Sequence, residues 1–395
     1  MCNEVSNNEL KERQLIEKLN QIVQLPDPPK TPLLRMKHIS HLDLDGYGAT
    51  ILSEILQTLY PEDAMTLEIR NILPNKLMLE ISDTINSIDD YDFIVITDLA
   101  INQNIVDLIN NCKNPEKFKI FDHHIPSIEK IPENSTITTV SPFNSNKLTC
   151  ATELYYNFII HDKIYELIYD DRMKNNLKYL VECIRVYDTF EFWNSRNDPI
   201  NEIEMTYWDA PRLNTLFHIM ERNEFREYIK YYVYHLAWNT LTISTSKFSW
   251  ITKILELENN KNIKYVESAL RRMFKIPFKY SIYNNGKIYD LDYRIGVIFA
   301  EKSSPIIANT ALESHSDIDL CAVVSNNQVS IYTNRENVDV SKIAKLFGGG
   351  GHKEAAGFTI PYTSSTIFNM RHFTDIIECA GKIENCSQVS EPINN

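Results

Sequence analysis

Phe118-Lys119-Ile120-Phe121-Asp122-His123-His124 sets a short apolar run directly against an aspartate and two adjacent histidines. The run has the composition of a buried strand, and its polar residues fall where that strand stops. Imidazole is the commonest side-chain metal ligand, and the carboxyl end of a strand in an open α/β sheet borders a crevice. The stretch points to a metal-holding His123 and a substrate-facing His124. The rest of the chain must then supply carboxylates and a grip for phosphate.

Outward from this stretch, strands alternate with helices. Met36 to Ser40 reads as a strand, and Gly48 to Tyr60 as a helix with Ile51, Leu52, Ile55, Leu56 and Leu59 on one face. Leu67 to Arg70 is a second strand, Phe93 to Thr97 an uninterrupted apolar one, and Asn102 to Asn111 a helix behind it. Phe118 to Phe121 and Ile137 to Val140 are further strands, and a helix follows from Thr149 to His161. This alternation implies right-handed crossovers and a parallel sheet covered on both faces.

The flanks differ. Met1 to Leu25 has the spacing of an amphipathic helix (Leu10, Leu15, Ile16, Leu19, Ile22) that packs on the main domain or binds a partner, and Pro26-Asp27-Pro28-Pro29 ends it. Leu177 to Val186 is apolar on one side and leads into Tyr187-Asp188-Thr189. Pro199 to Lys279 reads as helices rich in Tyr, Trp and charge, a connector. Its aromatics (Tyr207, Trp208, Tyr231, Tyr232, Tyr234, Trp238, Trp250) could stack on bases, but at near-helical spacing core packing is the default. Beyond it lie a turn signal at Asn284-Asn285-Gly286 and strands at Tyr293 to Ala300, Leu320 to Ser325 and Gln328 to Thr333, the last two joined by Asn326-Asn327. A helix spans Val340 to Leu346, and the tail after Ser387 is expected to fray.

At 395 residues the chain is long enough for two domains and a connector. A formal net charge of −13 argues against coating long nucleic acid, which relies on broad basic surfaces, but leaves room for a small anionic substrate beside a local basic patch. Seven scattered cysteines without a C-x-x-C pair read as reduced thiols, and there is neither a signal-peptide pattern nor a membrane-length apolar run. The expected location is cytoplasmic, with no membrane partner.

Five groups carry the chemistry. In His41-Leu42-Asp43-Leu44-Asp45-Gly46, alternate residues of an extended loop converge, and a histidine with two aspartates suits divalent ions that accept oxygen and imidazole. The competing reading is a polar loop in which Asp45 caps the following helix. Asp98 follows five buried-type residues, and could instead cap the helix near Asn102. Asp122-His123-His124 is the third group. Asp188, after an apolar helix, is ordinary if taken singly. Together these groups supply enough ligands for two metal ions about 3.5–4 Å apart that share a bridging carboxylate, a clamp for in-line displacement at phosphorus. The fifth is Gly348-Gly349-Gly350-Gly351-His352, whose amides could form a nest for phosphate oxygens; the alternative is a flexible linker. It lacks the Lys-Ser or Lys-Thr of a P-loop and the spacing of a dinucleotide fingerprint.

These residues resemble the DHH phosphoesterase superfamily, which takes its name from the triplet at Asp122-His123-His124. Gly349-Gly350-Gly351-His352 matches the signature of the associated C-terminal domain. The resemblance covers residues 36–190 and 282–380. It implies a parallel-sheet DHH catalytic domain (36–198) and a smaller DHH-associated α/β domain with a mixed sheet (282–380); the pattern outside it adds an N-terminal extension (1–35), a helical connector (199–281) and a tail (381–395), in an α/β chain. By the same resemblance His41, Asp43 and bridging Asp98 hold one metal, and Asp45, Asp98, His123 and Asp188 the other. The ions are two Mn²⁺, with Mg²⁺ or Co²⁺ as substitutes. His124 contacts the scissile phosphate, Asp122 orients its neighbours, and Arg335 and His352, with Gly349, Gly350 and Gly351, grip substrate phosphates. The branch most resembled is the oligoribonuclease (nanoRNase) and cyclic-nucleotide phosphodiesterase branch. The implied activity is Mn²⁺-dependent hydrolysis of short oligoribonucleotides to nucleoside monophosphates, with cyclic nucleotides, 3′-phosphoadenosine 5′-phosphate or RecJ-like exonuclease action as alternatives. Substrate length would be measured in a cleft between domains. Implied partners are short RNA or small nucleotides; a homodimer is left open.

Overall fold

β1 (Leu34–Ser40) is buried along nearly its whole length, as an interior strand of a sheet covered on both faces requires. In chain order it is followed by α1 (Leu44–Leu59), β2 (Met65–Asn71), α2 (Leu77–Asn86), β3 (Phe93–Thr97), α3 (Gln103–Asn110), β4 (Phe118–Asp122) and β5 (Thr139–Val140). The computed structural model describes residues 34–60, 64–124, 139–140, 143–144, 147–160, 168, 170–195, 202–237, 240–284 and 287–360. The expected helix before Leu25, the turn residues Asn285 and Gly286, and the tail after Ser387 lie outside them.

All strand pairs of this first sheet are parallel, in the order β2-β1-β3-β4-β5. Successive side chains point to opposite faces. Ile94, Ile96 and Ile120 pack with Leu77 and Ile81 of α2 and Ile105 and Ile109 of α3. On the other face Met36, Val95 and Phe121 meet Ile51 and Ile55 of α1 and residues of α4 (Ala151–Ile160) and α5 (Asp171–Asp188). Between β5 and α4 lie the two-residue strands β6 (Phe143–Asn144) and β7 (Lys147–Leu148). After α6 (Glu191–Ser195), helices α7 (Glu202–Ile219) and α8 (Arg222–His235) add Leu213, Phe217, Phe225 and Tyr228 to that same core. Tyr232 is fully buried there, with Tyr231, Tyr234 and Trp250 packed alongside, so these aromatics are core. Trp208 is exposed.

The chain divides into two compact units after Leu255, within α9 (Ile251–Leu270). The second unit holds β8 (Phe274–Asn284), β9 (Lys287–Phe299), α10 (Ser304–Ser314), β10 (Leu320–Ser325), β11 (Gln328–Tyr332), α11 (Val340–Leu346), β12 (Gly350–Gly351) and β13 (Ala355–Thr359). Its sheet runs β12-β13-β11-β10-β9-β8 and is mixed, because β9 and β10 are parallel while the other pairs are antiparallel. Ile295 and Val297 pack with Val340 and Ile343 of α11, whereas Ile298 and Val323 face Ile307 and Ala311 of α10.

Two boundaries and one helix depart from the sequence reading. The helix expected from Gly48 starts at Leu44, because the Asp43 side chain caps it by accepting the Gly46 N–H at 3.0 Å. Helix α2 was not expected, although Leu77, Ile81 and Thr84 share one buried face. Helix was expected to continue to Lys279, but it stops at Leu270 and β8 begins at Phe274. Phe274-Lys275-Ile276 alternates with period two, and Pro277 is tolerated because β8 lies at the sheet edge.

Candidate metal centre at the carboxyl end of the parallel sheet

Strands β1, β3 and β4 are neighbours and end in step, so the residues just beyond them are brought together. His41 and Asp43 follow β1, Asp98 follows β3, and His123 and His124 follow β4. Asp188, the last residue of α5, closes the group. Ligand atoms of His41, Asp43 and Asp98 lie within 4.8 Å of one another, and so do those of Asp45, His123 and Asp188.

Asp98 stands between the two sets. Its Oδ2 is 3.6 Å from His41 Nδ1 and its Oδ1 3.5 Å from His123 Nε2. His123 Nε2 also lies 3.3 Å from Asp188 Oδ2 and 3.9 Å from Asp45 Oδ2. The backbone of Asp98 is left-handed, with φ 55°. That is a strained conformation for a non-glycine residue, and strain of this kind gathers at functional sites.

Several of these carboxylates have other bonds too. Asp43 accepts from His41 Nδ1 at 2.8 Å besides capping α1. Asp45 does not cap its own helix. Its two oxygens accept the Ala151 and Thr152 N–H groups at 2.8 Å each, capping α4 across 106 and 107 residues of sequence. Nor does Asp98 cap α3, which Asn102 does through the Ile105 N–H at 3.1 Å. Gly46 is required where it sits: a Cβ there would lie 2.4 Å from the His41 carbonyl oxygen. Asp122 is buried and its Oδ1 accepts from His124 Nδ1 at 2.7 Å, which leaves His124 Nε2 as the ring's other polar atom.

The electrostatics reflect crowded carboxylates. Burial and the Asp43 and Asp45 charges push the Asp98 carboxyl well above its ordinary range. Burial, with Asp45 and Asp43 adding to it against His123, raises Asp188 to about 7. His41 is pushed up to about 10, first by its hydrogen bond to Asp43 and then by the Asp98 carboxyl beside it. Burial opposes charge on Asp43, yet His41, Asp98 and the Gly46 amide hold it well below the usual carboxylate range. For His123 and His124 burial favours the neutral ring, but Asp188 and Asp45 at the first and Asp122 at the second outweigh it and raise both.

Two atoms test whether this donor set fits cations. The Oδ2 atoms of Asp98 and Asp188 are buried and have no hydrogen-bond partner among the described residues. Each faces an imidazole nitrogen, 3.6 Å away at His41 and 3.3 Å away at His123, and a buried carboxylate oxygen so placed is satisfied by a cation. The mixture of carboxylate and imidazole suits borderline divalent ions. The residues fit.

The sequence reading missed the layer beneath. His38, fully buried in β1, contacts Ser53 Oγ at 2.7 Å and Thr97 Oγ1 at 2.9 Å. Ser53 continues to the Tyr155 hydroxyl at 2.7 Å, and Thr97 to Ser40 Oγ at 2.6 Å. A histidine inside an otherwise buried-type strand was the available signal. Cys150, buried beside Asp45, has its thiol pushed well up by burial and by the Asp45 and Asp188 charges.

In the second unit Gly348, at φ 74°, ends α11 in a Schellman arrangement, with Gly348 N–H on the Lys345 carbonyl at 3.1 Å and Gly349 N–H on that of Ala344 at 2.9 Å. Gly350 and Gly351 then pair with Gly357 and Ala356 of β13. The amides of Gly348 and Gly349 are thus engaged by the helix end. Arg335 donates to the Ser316 carbonyl at 2.9 Å and lies 3.8 Å from Asp319 Oδ1. His352 is exposed.

Residues 38–183 match the DHH family, N-terminal domain, and residues 293–378 match the DHHA1 domain. The chain is 26% identical over 336 residues to oligoribonuclease NrnB of Bacillus subtilis, covering 82% of this chain and 73% of the relative. It is 24% identical to a 3′,5′-cyclic-nucleotide phosphodiesterase of Helicobacter pylori, over 88% of this chain and 98% of that one. Its fold is similar to that of exonuclease RecJ solved with manganese, at a TM-score of 0.51 and 14% identity over 96% and 94% of the two chains. With the sheet, the ligand cluster and both domain matches in agreement, the chain belongs to the DHH superfamily and is a phosphoesterase.

Proposed function

We propose that the chain is a cytoplasmic, Mn²⁺-dependent phosphodiesterase that hydrolyses short oligoribonucleotides to nucleoside monophosphates. The observation that carries this reading is the placement of Asp98, with one oxygen toward His41 and the other toward His123. A carboxylate so placed is suited to bridge two cations. His41 and Asp43 would complete one ligand set; Asp45, His123 and Asp188 would complete the other. Bound cations would supply a water of lowered pKa and neutralise charge on the phosphate.

The residues themselves do the rest. Asp122 fixes the His124 ring through Nδ1, and burial of Asp122 keeps that orientation from exchanging with water. Nε2 of His124 is then the donor for a non-bridging oxygen of the scissile phosphate, and its raised pKa favours the protonated form that donates. In the second unit Arg335 and His352 are the groups suited to contact substrate phosphate, with Gly349, Gly350 and Gly351 shaping the turn that presents His352. Arg335 must exchange its Ser316 contact for the phosphate, a small cost for an exposed bond.

Support for the substrate class comes from the relative named oligoribonuclease. The relative named as a cyclic-nucleotide phosphodiesterase supports a second reading with the same chemistry. The test is a panel: 5′-labelled di- to pentaribonucleotides, cyclic mono- and dinucleotides and 3′-phosphoadenosine 5′-phosphate, each with Mn²⁺. The expected result is the highest kcat/KM on the short RNA. Absence of mononucleotide release while Mn²⁺ is demonstrably bound would overturn it, and a higher value on a cyclic substrate would favour the second reading.

A further inference from the structure

His41 and Asp43 sit on a loop of three residues between β1 and α1. Its backbone is gripped from outside. The His41 carbonyl accepts from Asn71 Nδ2 at 2.7 Å, and Asn71, the last residue of β2, accepts through Oδ1 from Arg226 of α8 at 2.6 Å. The same guanidinium donates to Thr50 Oγ1 at 3.1 Å and pairs with Glu54 at 2.8 Å. Its carbon lies 4.6 Å from the centre of the Tyr47 ring. Tyr47, Thr50 and Glu54 are spaced by three and four along α1, so Arg226 lies along one face of the helix that the ligand loop enters.

We infer that Arg226 is a positioning residue for the metal centre: it sets the amide of Asn71, and through it the His41–Asp43 loop. A guanidinium only donates. An asparagine that accepts from it must turn its NH₂ the other way, and here that way is the His41 carbonyl. The side chain of Arg226 is 11% exposed, so water does not readily replace these bonds. Lysine keeps the charge but has one nitrogen, which cannot serve Glu54, Thr50 and Asn71 in this fixed fork. No local feature of α8 signals this link; Arg226 and Asn71 are 155 residues apart.

The inference rests on the proposed metal site but is tested separately from it. In metal-free full-length protein, Arg226→Lys and Asn71→Ser should each shift and broaden the His41 imidazole signals in histidine-labelled NMR spectra, with the His315 signals unmoved. In Mn²⁺ titrations followed by EPR, each should weaken binding by about 10- to 100-fold, the range for an outer-shell partner, and the double variant should be no worse than the weaker single one. Unchanged His41 signals in both variants would overturn the inference, whether or not Mn²⁺ binds. So would a lowered melting temperature with Mn²⁺ affinity intact, since that marks a purely structural role. Wild-type protein that binds no Mn²⁺ would instead defeat the proposed function, leaving the NMR result to decide on Arg226.

Discussion

At the carboxyl ends of β1, β3 and β4, ligand-type side chains meet groups that are remote in sequence. Asp45 caps a helix that starts over a hundred residues later, and Asp98 is held in a left-handed backbone between two histidines. In the second unit Gly348 and Gly349 are also constrained, but the constraint comes from backbone geometry. Gly348 ends a helix and Gly349 lies so close to β13 that an added Cβ would meet the Gly357 carbonyl oxygen at 2.1 Å. Arg335 and His352, proposed above as phosphate contacts, lie at the surface. Strong positional demands thus mark chemistry in one unit and chain geometry in the other. The groups involved tell them apart: buried carboxylate oxygens that face imidazoles in the first unit, a tight backbone contact in the second.

The sharpest way to break this comparison is Asp98→Asn. If Asp98 serves both ligand sets, the substitution should lower phosphodiesterase turnover by more than the about 10- to 100-fold of an outer-shell change, and bound Mn²⁺ should fall below two per chain by EPR. Retention of full turnover would remove Asp98 from the chemistry. Metal addition comes next. Mn²⁺ at about 100 times its dissociation constant should stabilise the wild-type first unit by about 2.7 kcal/mol per site. A chelator should reverse this, and Asp98→Asn should blunt it. Calorimetry that finds the shift in the second unit's transition instead would reverse the assignment.

The glycine run separates the units by a smaller effect. Gly349→Ala should destabilise the second unit by about 1–3 kcal/mol, the cost of forcing atoms into packed backbone. Gly350→Ala has open space around its new methyl group and should change stability little. Denaturant titration of both variants checks this; equal losses would mean that the tight approach at Gly349 is not what the glycine provides.

Much of this was legible in the sequence, for a physical reason. Strand ends in a parallel sheet converge, so His41, Asp98 and His123 could be placed at one edge from alternation alone. What hid from reading were bonds between partners remote in sequence. The role of Asp45 at Ala151 needs the position of α4, and the link from Arg226 through Asn71 to His41 needs α8 against β2. The break between α9 and β8 was missed because Phe274-Lys275-Ile276 is too short for its period to outweigh the helical pattern before it. A glycine run suggests a nest for anions, while the hydrogen bonds of Gly348 to Lys345 and of Gly349 to Ala344 show a helix stop that a glycine at φ 74° makes easy.

The smallest effect concerns His38, beneath the site. Burial, and then the charge of Arg226, lower its pKa to about 3, so it is neutral when folded. Unfolded, it titrates at about 6.5. Between these values the unfolded chain binds the extra proton, and stability falls as pH drops from about 6.5 toward 3, by at most about 1.4 kcal/mol per pH unit. Asp98 and Asp188 act in the opposite sense: their raised pKa values favour the folded state at low pH, and that support is lost as pH rises through them. A raw pH curve therefore mixes the two. The difference between wild type and His38→Gln isolates the histidine, because glutamine carries a donor and an acceptor but no titrating proton. Wild type should be the more stable near pH 7.5, and its advantage should narrow as pH falls below 6.5. A constant advantage would mean that His38 is reached by water, and that the buried layer under Thr97 and Ser40 is less closed than the ligand cluster above it.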